Sequence, residues 1–121
     1  MSAGNIKQIL ICSVLIFLID LPWLSLTGGN YTAIVQAIQG GSVVRMRPLA
    51  GIVVYPALAY LALNTKSLKE SFLTGLAVYA VYDFTVLAVF KDYPFYMGAL
   101  DTVWGGILFS AVFWIRERFG L

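Results

Sequence analysis

Histidine is absent from this chain of 121 residues, and cysteine occurs once. Without His, the commonest metal ligand and the usual near-neutral general base are missing. A lone cysteine forms no internal disulfide, so Cys12 says nothing of redox compartment, and its place in an apolar run suits a small packing residue. Charge is also scarce. Asp, Glu, Lys and Arg make up 12% of the residues, against about 25% in a soluble domain. So little charge does not cover the surface of a water-soluble fold. The net charge of +2 comes with no basic run, which argues against nucleic acid as a partner. A Gly-rich phosphate loop and a Ser in a catalytic setting are missing too. The chain therefore points away from an enzyme, and neither a cofactor nor a metal is expected.

What is there is apolar: 60% of the residues are hydrophobic. They lie in blocks rather than with period 2 or 3.6, the pattern of helices that are apolar all round. An integral, multi-pass membrane protein follows, with the lipid bilayer as its first partner. The first segment covers about 6–26. A cleaved leader is rejected there, because only Lys7 is basic and Asp20-Leu-Pro-Trp-Leu closes the run with no small-x-small site. Pro22 is placed to kink or end the helix, and Trp23 suits an interfacial aromatic belt. Gly28-Gly29 then predicts a break. Residues 30–39 carry Tyr31, Ile34, Val35 and Ile38 on one helical face, which predicts a short amphipathic helix at the interface.

Further segments cover about 48–63, 72–90 and 95–115, with Pro48 at a first turn and Pro56 mid-span. The expected fold is all-α: one domain over 1–121, a bundle of four transmembrane helices with the interfacial helix between the first and second. No internal repeat is evident. With both termini cytoplasmic, Lys7, Lys66, Lys69, Arg116 and Arg118 lie inside, and Arg45, Arg47 and Lys91 outside. That bias favours termini-in, and its small size leaves room for dual topology.

Three carboxylates stand inside these spans: Asp20, Asp83 and Asp101. A carboxylate in an apolar span is a functional-site hypothesis by default. With alternating helices, all three fall on one side of the midplane, within roughly 2–9 Å of it at about 1.5 Å per residue. Three acids in one apolar pocket do not all stay ionised, so Arg45 or Arg47 is the expected partner for one, and a proton for another. Tyr79 shares a helix face with Asp83, with Tyr82 and Thr85 adjacent. Trp104 and Gly105 follow Asp101 at i+3 and i+4, and Tyr55 adds a hydroxyl. Gly98, Asp101 and Gly105 form a stripe that a second backbone can approach. Trp23, Tyr93, Phe95, Tyr96 and Trp114 are assigned to the interfacial belt and core.

Asp20-Leu-Pro-Trp-Leu, Tyr82-Asp83-Phe-Thr85 and Asp101-Thr-Val-Trp104-Gly105 resemble, in that order, the D-x-x-W-L, Y-D-x-T-N-x-A and D-x-x-W-G motifs of a family of small four-helix membrane proteins of unknown function. Val86 departs from that pattern, standing where the family usually has Asn. The resemblance implies the fold and marks Asp20, Tyr82, Asp83, Thr85, Asp101 and Trp104 as family positions. It implies no activity.

The residues support two main readings. One is a proton- or cation-coupled transporter or channel, with Asp20, Asp83, Asp101, Tyr82, Thr85, Trp104, Arg45, Arg47, Tyr79 and Tyr55 as site candidates. Four helices enclose little space, so a homo-oligomer, with a dimer favoured, would complete a pathway. The other is a structural or assembly protein whose buried acids fasten the bundle. A lipid-acting enzyme, with paired carboxylates as acid and base or holding a divalent metal, comes third.

Overall fold

The computed structural model describes residues 5–45 and 47–121; residues 1–4 and Met46 of the expected domain lie outside them. Four helices follow in order: α1 (Ile6–Ile38), α2 (Pro48–Leu63), α3 (Leu68–Val89) and α4 (Phe95–Phe119). No strand occurs among the described residues. Local chemistry sets the ends. Asn5 caps α1, its side chain accepting from the backbone N–H of Lys7 at 2.9 Å. Pro48 opens α2, where its missing N–H is no loss. Ser67 caps α3 by accepting from the N–H of Glu70 at 3.0 Å. That cap starts α3 four residues before the apolar run does: Glu70 suits a first turn, and Lys69 and Glu70 suit water rather than lipid. Gly120, at φ 70°, ends α4 after Arg116 and Arg118 in its last turn.

Three helices, α1, α3 and α4, are long and apolar enough to cross a bilayer. The protein is an integral membrane protein built as an all-α bundle. The fourth helix, α2, is apolar along its length but has 16 residues, about 24 Å at 1.5 Å per residue, short of the roughly 30 Å of bilayer hydrocarbon.

The first helix differs from expectation in one respect. Residues 30–38 are helical, but as the last turns of α1 rather than a separate piece. Gly28 and Gly29 do not end it. Helical backbone in an apolar setting keeps its own hydrogen bonds, since nothing else there offers any, and the turns beyond the glycines are held from outside. Asn30 donates to the Tyr96 hydroxyl at 3.3 Å, and the Tyr31 hydroxyl meets that of Tyr82 at 3.1 Å. Pro22 likewise lies within the helix without ending it.

The bundle is two hairpins, α1–α2 and α3–α4, joined mainly along α1 and α4. In the second hairpin glycine makes the approach close. Any side chain at Gly75 would strike the Gly105 carbonyl and Phe109, and any at Gly105 would strike Tyr79. Gly98 and Gly106 take up the side chains of Leu87 and Phe72 in the same way. This is small-residue packing of membrane helices, and it matches the stripe expected at Gly98 and Gly105.

The core occupies one end. Cys12 and Ile16 of α1, Leu58, Ala59, Ala62 and Leu63 of α2, and Leu108, Phe109 and Val112 of α4 pack together there, nearest the chain termini. The other half of the bundle is less filled, and the acids lie where the two halves meet.

Candidate functional site

Two segments with the same spacing face each other across α1 and α4: Asp20-x-x-Trp23 and Asp101-x-x-Trp104. Three residues apart on a helix, an acid and an indole share a face. Each indole reaches the acid of the other helix. Trp23 donates its Nε1–H to Asp101 Oδ1 at 2.9 Å, and Trp104 donates its Nε1–H to Asp20 Oδ1 at 2.8 Å. The two rings stack between these bonds, 5.2 Å apart and 8° from parallel. Residue 20 pairs with 104 and 23 with 101, which is the order of an antiparallel pair. The exchange satisfies two indole donors and two carboxylate acceptors with no Lys or Arg. Hydrogen bonds to a charged acceptor contribute about 1.5–3 kcal/mol each, comparable to the roughly 2.5–3.5 kcal/mol for placing Asp in mid-membrane.

Asp20 is 6% exposed and both its oxygens are used, because the Tyr55 hydroxyl donates to Oδ2 at 2.8 Å. Phe17 braces the Tyr55 ring edge-on at 5.3 Å. Asp83, on α3, is 1% exposed. Its Oδ2 accepts from Thr102 at 3.2 Å, while Oδ1 is buried with no protein donor. The Asp101 carboxyl is a near neighbour of Asp83 across the α3–α4 hairpin. Two carboxylates have no hydrogen to share, so neither satisfies the other. Asp101 is half-buried, and its Oδ2 receives no protein N–H or O–H among the described residues.

Beside this constellation is a cavity of about 540 Å³ between the two hairpins. Asp20, Trp23 and Tyr31 of α1, Val54 and Leu58 of α2, Tyr79 and Tyr82 of α3, and Met97 and Asp101 of α4 contribute to its wall. Tyr93, from the turn before α4, adds another ring, set edge-on to Tyr31 at 6.4 Å. No Lys, Arg or Glu lines it.

Of the residues singled out from the sequence, Asp20, Asp101, Tyr79 and Tyr82 line the cavity, Tyr55 and Trp104 bond to Asp20, and Asp83 stands behind Asp101. Three do not join. Arg45 and Arg47 are exposed, in the link before α2 and at its N-cap, and line no part of the cavity. The acids take aromatic N–H and O–H donors instead. Thr85 is exposed and donates to its own helix, to the Val81 carbonyl. Conversely, Trp23 and Tyr93, which the sequence assigns only to belt or core, belong to this site: Trp23 is half-buried and bonds to Asp101, and Tyr93 is 6% exposed. Thr102 and Tyr31 were missed as well. The available signal was the repeated D-x-x-W spacing, which sets Trp23 and Trp104 in matching roles.

No group of three or more His, Cys, Asp or Glu side chains among the described residues is placed to hold a metal ion. Asp20 is joined to the other acids through indoles rather than through a shared ligand position.

A search of curated proteins and one of solved structures find no match to the chain. A family model matches residues 5–116, nearly the whole molecule and all three motifs. The chain therefore belongs to the family described as predicted membrane protein (DUF2177), whose function is unknown.

Proposed function

We propose that the protein is a small membrane carrier in which the Asp83–Asp101 carboxyl pair binds a proton or a cation and exchanges it for a solute held in the adjoining cavity. The observation that carries this reading is the unpartnered Oδ1 of Asp83, beside Asp101 and one side chain from the cavity. A buried acceptor without a donor costs about 1–3 kcal/mol. That cost is explained if the pair takes up a proton or cation during its working cycle. Membrane carboxylates that do this mark ion and proton paths. One chain builds the cavity, so the binding step needs no second copy; a homodimer, with termini cytoplasmic, would complete a path across the bilayer.

The test is flux in proteoliposomes under an imposed pH gradient. Asp83→Asn and Asp101→Asn are expected to abolish pH-dependent flux while the protein still purifies as a folded, monodisperse species. Full flux in both variants would remove this reading.

The reciprocal Trp–Asp bonds favour a second reading, in which the acids fasten α1 to α4 and nothing moves. It expects Asp20→Asn and Asp101→Asn to lower the melting temperature in detergent with no change in any flux.

A further inference from the structure

The cavity wall has an unusual makeup, and its chemistry selects a ligand. Five aromatic side chains face it: Trp23, Tyr31, Tyr79, Tyr82 and Tyr93. Two carboxylates, Asp20 and Asp101, share the same wall, and Asp101 keeps an oxygen without a protein donor. The remaining lining is mostly aliphatic, with no basic residue. We propose that this cavity binds a lipophilic organic cation, a compound with one positive nitrogen or phosphorus centre on an apolar body, which enters sideways from the bilayer. The proposal rests on the carrier reading for its purpose, but not for its chemistry.

Each competing ligand class meets an obstacle on this wall. An anion would face carboxylates and find no Lys or Arg. A small hard cation would want six or more oxygens for a calcium-like shell, or several retained waters for magnesium, and the described residues offer no three-ligand group. A neutral apolar compound would fit the aliphatic part but leave the free Asp101 oxygen buried beneath it. A lipophilic cation meets all three surfaces at once. Aromatic rings attract a cation over their faces, more strongly when desolvated, and aromatic cages are the recurring receptor for such groups. The carboxylates supply the counter-charge. A volume of about 540 Å³ lies within the roughly 300–1,000 Å³ range of small-molecule sites.

The entry route follows from exposure. Leu24, Val54 and Tyr82 line the cavity yet are 43%, 48% and 52% exposed. They lie on three different helices, two of them in the first hairpin and one in the second. The backbones of α1 and α3 do not touch, and α2 meets α3 only lightly. The gap between hairpins therefore opens to the side, where a bilayer surrounds the bundle, and its exposed rim is apolar apart from two phenols, Tyr31 and Tyr82, whose hydroxyls meet at 3.1 Å.

Two probes of matched shape and opposite charge, tetraphenylphosphonium and tetraphenylborate, test this. Binding is read by calorimetry on the full-length protein in neutral-lipid nanodiscs, after subtraction of empty nanodiscs. Saturable binding of the cation, about tenfold or more tighter than the anion, is expected. Asp101→Asn should weaken cation binding by about tenfold, and Thr85→Val, off the cavity, should leave it unchanged. Since Asp101→Asn also touches the Trp23 bond, Leu24→Trp serves as a second variant: it fills the mouth, leaves both carboxylates in place, and should abolish binding. Equal affinity for the two probes, or cation binding undiminished in both Asp101→Asn and Leu24→Trp, overturns the proposal. The carrier reading stands or falls separately. Selective cation binding without pH-driven flux would leave this site and remove the carrier; pH-driven flux without cation binding would do the reverse.

Discussion

Trp23 and Trp104 each do two things. Their rings stack, and their N–H groups satisfy the acids of the opposite helix. The two roles separate by substitution. Trp23→Phe keeps most of the stacking surface but removes the donor, leaving Asp101 Oδ1 bare. The loss is expected at about 1.5–3 kcal/mol, the usual size of a hydrogen bond to a charged partner. Combining it with Asp101→Asn should cost less than the two changes summed, with a coupling of about 0.5–3 kcal/mol. Thermal unfolding in one detergent, for the wild type, both singles and the double, measures it; strict additivity would mean the bond contributes nothing. The acids themselves were legible from the sequence, because a carboxylate in an apolar run has no ordinary explanation. Their partners were not. Trp23 sits near the end of an apolar run, where a belt accounts for it fully, and the residue that decides its role is 78 positions away. Arg45 and Arg47 looked like partners because they carry the opposite charge. In a dry interior the polar edge of an aromatic ring serves as well, without a second charge to desolvate.

At the scale of the helix, glycine has opposite meanings in α1 and in the α3–α4 hairpin. Gly75 and Gly105 sit where two backbones nearly touch, whereas Gly28 and Gly29 have open space around the position a Cβ would take and φ in the ordinary range. The same substitution should then change sign. Gly75→Ala pushes a methyl group against the Gly105 carbonyl and Phe109, and should destabilise by about 1–3 kcal/mol, since backbone cannot step aside as a side chain can. Gly29→Ala lies in a helix with nothing to strike, and should stabilise by about 0.5–1 kcal/mol through propensity alone. Melting temperatures in detergent should move down for the first and up for the second; both moving the same way would contradict the packing described. The order of the four apolar helices, and the bounds of α2, α3 and α4 to within about a turn, could be read from hydropathy and from Pro and Gly punctuation. The break at Gly28-Gly29 could not be judged that way. Its outcome depends on Tyr31 and Asn30 finding Tyr82 and Tyr96 on other helices, and contacts across the bundle leave no local trace.

Across the whole molecule the two ends differ, and the difference separates the two functional readings. The end nearest the termini is filled by Ile16, Leu58, Leu108, Phe109 and Val112, with Cys12 2% exposed among them. The other half holds the cavity, with Asp20 and Asp101 in its wall. A carrier has to open the packed end at some point in its cycle, since a site reached only from one face cannot deliver. The native Cys12 reports that opening with no engineering. At rest it should react with a small neutral maleimide far more slowly than a cysteine set in the cavity wall, Ala57→Cys on a Cys12→Ser background. During pH-driven turnover in proteoliposomes its labelling rate should rise several-fold, because the open state, however brief, is populated once per cycle. Asp83→Asn should cancel that rise while leaving the resting rate as it was. If the acids only fasten helices, a pH gradient gives Cys12 no reason to become more accessible, and the rate stays flat in both proteins. The measurement thus reads motion at a site some two turns of α1 from Asp20, where loss of a ligand contact cannot imitate it.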